Sequence, residues 1–350
     1  MSGNDRTLVL VAGSGRSGTS LLSGVLQRLG MHVPKPEVPA DPSNPKGFAE
    51  SQWVVDFHTR LLADAGVQVA DARPTAWART TEIAMDGTAA TDVRVWLGEE
   101  LRRSQHVVIK DPRLSWFLPL WRRAAEDVGV TPRFVTMLRH PAAVVESKQR
   151  WYGGWQGVVA RTAGWVNQTL YTERATRDAK RIFLGYDELL ADWTVAVGRV
   201  GSELDLDAVT HAPAPALRTV HEFVDPSLRR SRSDWGDMRI PGHLLAQADE
   251  VWSLVCELGN GVEPERCTEV HERLDALRGE YIALYEEAEG IARSSIQAAR
   301  KPNSAPLPVP RPVASVRAVR RIPKPLRHAV PVSVRAKVAR RVIKPAALRG

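Results

Sequence analysis

Cysteine is almost missing from this 350-residue chain: it has two, Cys256 and Cys267, and neither sits in a metal-ligand spacing. That excludes a thiolate metal centre and leaves both as buried or idle thiols. Long apolar runs are missing too. The longest fall far short of the roughly 18 residues that a membrane-spanning helix needs, and the N-terminus lacks a basic stretch ahead of a secretory core. The expected location is therefore the cytoplasm. A third absence is local: residues 301–350 hold 13 Lys and Arg but no Asp or Glu. Because the whole chain carries a net charge of +8, the residues before this tail are net acidic, and the tail alone makes the protein basic.

One lysine is missing from a place where it would be informative. The stretch LVLVAGSGRSGTSLLSGVLQRLG is an apolar strand that runs into a glycine-rich turn and opens a helix. Leu8 to Val11 read as a buried parallel strand, Gly13, Gly15 and Gly18 permit a tight backbone, and Leu21, Leu22, Val25, Leu26 and Leu29 have helical spacing. Such a helix points its free N–H groups at an anion. Gly13, Gly18 and Ser20 fit G-x-x-x-x-G-x-[ST], yet Thr19 stands where an ATPase loop carries its lysine. The cation is instead Arg16, among the hydroxyls of Ser14, Ser17, Thr19 and Ser20, which suit phosphate oxygens. A nucleotide without a triphosphate fits this loop better than ATP does.

Strands are expected near residues 7–13, 106–109, 134–138 and 181–185, alternating with long helical patterns. The fold class that follows is α/β: a three-layer fold of P-loop type with a mostly parallel central sheet flanked by helices. Ligands of such sheets lie at the C-terminal strand ends, where Gly13, Lys110, Arg139 and Tyr186 all fall. Residues 1–298 are expected to form one domain. Residues 299–350 are Pro-rich, with a loose repeat (VRAVRRIPKP at 316, VRAKVARRVIKP at 334), and are expected to be a basic tail, disordered alone or lying on an anionic membrane surface. A solvated tail with no partner, or one that binds another polyanion, is the alternative.

A second segment, VTMLRHPAAVVESKQRW, is a short buried strand ended by Arg139, followed by a helix with Pro141 in its first turn. Together with the early loop it resembles the sulfotransferases that use 3′-phosphoadenosine 5′-phosphosulfate (PAPS), in their bacterial, P-loop form. The resemblance extends to about residue 240. It implies that Gly15, Arg16, Ser17, Gly18, Thr19 and Ser20 hold the 5′-phosphosulfate, and that Arg139 and Ser147, eight residues apart, hold the 3′-phosphate. In HVVIKDPRLSWFLPLW it places Lys110 on the active-site lysine and Pro112 where many members have a catalytic histidine. Tyr186, in FLGYDELLADW, takes the place beside the adenine. Arg229, Arg230 and Arg232, in LRRSRSDWGDM, loosely match a late basic loop that meets the 3′-phosphate or an anionic acceptor, or else they are surface arginines. PAPS is the implied co-substrate, and no metal is required.

Without the histidine, the resemblance to bacterial and carbohydrate sulfotransferases implies a glutamate base from the Pro-rich insertion after the first helix, which ends in a helix starting near Ala49. Glu50 is the first choice and Glu37 the second, with Asp111 and His58 as further candidates. Arg16 and Lys110 are expected to neutralise charge on the bridging oxygen. Any one of Trp53, Trp116, Trp121, Trp151, Trp155 and Trp165 is most simply a core residue, but their crowding over 151–165 suggests an acceptor pocket. The expected acceptor is a hydroxyl of a glycan or glycolipid, with a phenolic or polyketide small molecule second. Specific nucleic acid is not expected as a partner. A P-loop small-molecule kinase and a non-catalytic nucleotide- or polyanion-binding relative are the other readings.

Overall fold

The computed structural model describes residues 6–225, 227 and 234–300. Arg229, Arg230, Arg232 and the tail from residue 301 lie outside the described residues. Four strands form one parallel sheet: β1 (Thr7–Ala12), β2 (His106–Lys110), β3 (Pro132–Leu138) and β4 (Arg181–Gly185), in the order β2-β1-β3-β4. Leu10 of β1 stands opposite Ile109 of β2 and Phe134 of β3, so β1 runs down the middle. Every residue of β1 is buried. Its sequence is accordingly a continuous apolar run, because helices cover both faces of the sheet.

The two faces separate by the period of two. Leu8, Leu10 and Ala12 point into a core shared with α2 (Gln52–Ala65), α4 (Gly87–Arg103) and α5 (Leu118–Asp127). Val9 and Val11 point into the opposite core, with α1 (Thr19–Arg28) and two helices that follow β4, α8 (Tyr186–Ala191) and α9 (Trp193–Glu203). A third cluster joins α6 (Pro141–Tyr152) and α7 (Val158–Ala175) to Val251 and Leu274 of two later helices, Gly242–Gly259 and Pro264–Arg300. Each fully buried Leu of these strands contributes about 2 kcal/mol of transfer free energy. The whole sheet lies within the unit Met1–Glu287.

The chain leaves β1 toward β2 on one side and later returns to β3 on the other. That makes the C-terminal ends of β1 and β3 the crevice where such sheets bind ligands. One helix begins later than expected. Ala49 has φ 49°, the Val38 N–H bonds the Glu50 carbonyl and the Gln52 N–H bonds the Pro36 carbonyl, so residues up to Ser51 are extended and α2 starts at Gln52.

Most of the tryptophans are structural. Trp116 and Trp121 are wholly buried, and the Trp116 indole donates to the Val69 carbonyl at 3.0 Å. Trp53 stacks on Trp96 with ring centroids 4.3 Å apart, and Trp165 is buried in the third cluster. Trp151, Tyr152 and Trp155 are the exposed aromatics, at the end of α6 and in the turn before α7, with Trp155 70% exposed. Among the described residues no helix is long and apolar enough to cross a membrane.

Candidate functional site

The glycine-rich loop is shaped by two close approaches. Gly13 has φ 130°, and a Cβ there would lie 2.7 Å from the Met137 carbonyl oxygen of β3. Gly18 has φ 91°, and a Cβ there would collide with the Tyr186 ring. Neither position accepts a side chain without displacing its neighbour. Between them the Ser17 N–H bonds the Ser14 carbonyl at 3.1 Å, and Arg16 takes a left-handed φ of 78°. Helix α1 follows at Thr19 with no side-chain cap and no acidic residue in its first turn. Its first N–H groups therefore have no side-chain cap, the arrangement in which a helix start can receive an anion. Pro112 stands beside Gly15, its Cβ 3.5 Å from where a Cβ on Gly15 would be, so the place the resemblance gives to a histidine borders the loop but carries an apolar ring.

The second segment reaches the loop directly. Arg16 Nε donates to Ser147 Oγ at 3.0 Å, and Arg139 Nη1 donates to the Arg16 carbonyl at 2.9 Å. The Arg139 guanidinium lies 4.6 Å from the centre of the Tyr186 ring, and Arg16 lies 5.9 Å from that of Trp151. Burial lowers the pKa of Arg139 from its ordinary value, with Tyr186 and Asp187 opposing. Arg16, Arg139, Ser147 and Tyr186, separated by up to 170 positions, thus meet at the ends of β1 and β3. Trp235 packs edge-on against His140, 5.8 Å between centroids, which sets Asp234–Met238 beside the start of α6.

On the other limb of the loop, Lys110 ends β2 and is 2% exposed. Its Nζ donates to Ser20 Oγ at 2.8 Å and is ion-paired with Glu50, itself 5% exposed. Burial raises the Glu50 carboxyl above its usual range, although the Lys110 charge opposes the shift. The neighbouring Asp111 is fully engaged: it accepts from His58 Nδ1 at 2.7 Å and from the backbone N–H and the guanidinium of Arg113 at 3.1 and 2.8 Å. Burial pushes this carboxyl up, but the His58 hydrogen bond, with the charge and the backbone N–H of Arg113, outweighs that and holds it below its usual value. The Trp121 indole donates to His58 Nε2 at 2.8 Å, so the ring proton is on Nδ1 and both nitrogens are occupied. Glu37 accepts from Gln27 at 2.6 Å and pairs with Lys35.

One basic residue of this site carries no signal in the loop motif itself. Lys148 is 6% exposed and its Nζ donates to Ser14 Oγ at 2.8 Å. The clue in the sequence is spacing: it follows Val144 and Val145 by four and three residues, on the buried face of α6. Among the described residues no group of His, Cys, Asp or Glu is placed to hold a metal ion.

No protein-family model matches the sequence, and no curated protein does. Among solved structures, the chain is similar to the sulfotransferase domain from the curacin biosynthetic pathway, at 13% identity and a TM-score of 0.43, over 73% of this chain and 99% of that one. It is likewise similar to the sulfotransferase domain from the Synechococcus PCC 7002 olefin synthase, at 16% identity and a TM-score of 0.43, over 73% of this chain and 96% of that one.

Proposed function

We propose that this protein is a PAPS-dependent sulfotransferase that moves a sulfuryl group to a hydroxyl of a glycan or glycolipid. The observation that carries the reading is the contact between the loop and the Arg139–Ser147 segment: Arg16 touches Ser147 and Arg139 touches Arg16, across 131 and 123 residues. A loop suited to one phosphate group thus lies beside a helix start suited to a second, which supports a nucleotide with a 5′ and a 3′ anion. The Tyr186 ring, packed against Gly18 and Arg139, would support the adenine.

PAPS would supply the sulfuryl group and leave as adenosine 3′,5′-bisphosphate. A bond forms between the acceptor oxygen and sulfur while the bond from sulfur to the bridging oxygen breaks. Loop N–H groups and the side chains of Arg16, Ser17, Thr19 and Ser20 hold the 5′ end, and Arg139 and Ser147 hold the 3′ end. Arg16 and Lys110, the latter tied to Ser20, offset charge growing on the bridging oxygen. Glu50 takes the acceptor proton, and burial favours this by making its carboxylate more basic than usual. Asp111 and His58 occupy each other and are poor candidates, and Glu37 is held by Gln27 and Lys35.

The acceptor class is supported by Trp151, Tyr152 and Trp155, exposed aromatic faces at the rim of the Arg16 site that suit sugar rings, and by a basic tail suited to lipid-linked substrates. The test is incubation of the full chain with radiolabelled PAPS and the glycans and lipids of a cell extract. Label on a glycan or glycolipid supports the reading, and label on a phenolic small molecule moves the acceptor class. Magnesium-dependent ATP turnover would select the kinase reading, and tight PAPS binding without transfer would select a non-catalytic relative.

A further inference from the structure

The protein buries two lysines beside the glycine-rich loop, and they differ in one respect. Lys110 has Glu50 as its counter-ion. Lys148 has no ion pair among the described residues; its hydrogen-bond partner there is Ser14, an uncharged hydroxyl, which uses one of the three ammonium protons. The charge that acts on it is Arg161 of α7, which is of the same sign. A buried cation without an anion is costly, and natural folds pair such groups. Ser14 is the residue whose carbonyl closes the loop turn, so an anion that completes this pair arrives at the loop.

We propose that Lys148 is a fourth cation of the donor site, after Arg16, Arg139 and Lys110, completed when an anionic oxygen on the 5′ side of the nucleotide reaches the loop beside Ser14. This rests on the PAPS reading and adds a residue to it. The surrounding charges leave the position to the ligand. Arg161 is directed to the carbonyls of Gly153 and Gln156, Glu146 of the same helix pairs with Arg150, Glu50 pairs with Lys110, and Asp249 accepts from the Trp235 indole.

A consequence in pH follows. Burial, reinforced by Arg161, lowers the Lys148 ammonium to about 7, so the free protein near neutrality holds it partly uncharged. An anion in contact favours the charged form and raises the value. Binding above pH 7 therefore takes up a proton, and affinity falls as pH rises.

The experiment is titration calorimetry of the full chain with adenosine 3′,5′-bisphosphate, whose phosphates stay ionised between pH 7 and 9. It is run at both pH values and in two buffers of different ionisation heat, for the natural protein, Lys148→Met and Lys148→Arg. The natural protein is expected to bind on the order of tenfold more weakly at pH 9 than at pH 7, with net proton uptake. Lys148→Met is expected to bind on the order of tenfold more weakly at pH 7 and to lose the pH dependence. Lys148→Arg is expected to keep binding and lose the pH dependence. Flat affinity with no proton uptake in the natural protein overturns the proposal, as does a folded Lys148→Met that binds normally. Absence of any binding by the natural protein overturns the donor reading and this inference together, whereas binding without uptake removes Lys148 alone. The proton count needs no variant, so a substitution that fails to fold leaves the decisive measurement in place.

Discussion

Glu50 and Asp111 are buried carboxylates beside the same strand end, each with a cation as partner, yet they are built for different work. Asp111 accepts three hydrogen bonds, from His58 and twice from Arg113, and is held below its ordinary pKa. Glu50 is paired with Lys110 and sits above its ordinary pKa, next to the loop. A carboxylate whose lone pairs are filled by the fold stabilises the fold. One that burial makes more basic, and that faces the anion loop through Lys110 and Ser20, is available for proton transfer.

The comparison breaks most visibly at Asp111. Asp111→Ala strands the His58 Nδ1–H and one end of Arg113, and it is expected to cost about 3 kcal/mol or more in urea unfolding, since removing one partner of a buried pair leaves the other uncompensated. The linkage sign agrees. With its folded pKa depressed, Asp111 contributes stability above its unfolded pKa near 3.9 and loses it as pH falls through the folded value, so acid should narrow the gap between variant and natural protein. A variant of unchanged stability would place the burden elsewhere.

Glu50→Gln should have the opposite character: little loss of affinity for adenosine 3′,5′-bisphosphate but a fall in kcat of about 100-fold, the usual size for a lost general base. Because the folded pKa of Glu50 is raised, the rate of the natural protein should climb with pH through a limb lying above the roughly 4.3 of an ordinary glutamate. That limb should vanish in the glutamine variant. Near-normal turnover would remove Glu50 as the base.

A third experiment sharpens the contrast by asking whether the loop beside Glu50 belongs to a doubly anionic nucleotide. Arg139→Ala with Ser147→Ala should weaken adenosine 3′,5′-bisphosphate by about tenfold more than adenosine 5′-phosphate, since the first ligand alone loses a charge-assisted contact. Equal losses would detach these residues from the 3′-phosphate.

How much of this was readable beforehand follows from how local each signal is. All four strands were, because burial on both faces makes each a short apolar run ended by a glycine or a charged residue. Gly13, Lys110, Arg139 and Tyr186 fell at strand ends for the same reason, and the structure has them there. Partner choice was not readable. Glu50 finds Lys110 across 60 residues and His58 finds Asp111 across 53, which depends on how α2 lies on β2. The start of α2 was misplaced because Glu50 and Gln52 spend backbone hydrogen bonds on Val38 and Pro36, an interaction outside any local pattern. Lys148 is hard to read from sequence because a lysine on a helix normally reads as solvated, and only the apolar positions three and four residues before it mark its face as buried.

The smallest effect is expected from the segment where cations have no acids at all. Within the described body, arginines such as Arg177, Arg181 and Arg199 are tied to Glu173, Asp275 and Glu188. The 13 Lys and Arg of residues 301–350 have no carboxylate in their own segment, and their charge is interleaved with Val, Ile and Leu. Attraction to an anionic surface follows from that pattern, at about 1 kcal/mol for each charge that reaches it. Deleting residues 301–350 should leave melting temperature and nucleotide affinity nearly unchanged, since the loop, Lys110, Arg139 and Ser147 all precede it. Binding to vesicles with anionic lipid should fall, and in the intact chain it should weaken as salt rises, because exposed charges are screened within about 10 Å at 0.1 M. Vesicle binding that survives the deletion, or that ignores salt, would assign the tail no membrane role and leave the lipid-linked acceptor without its support.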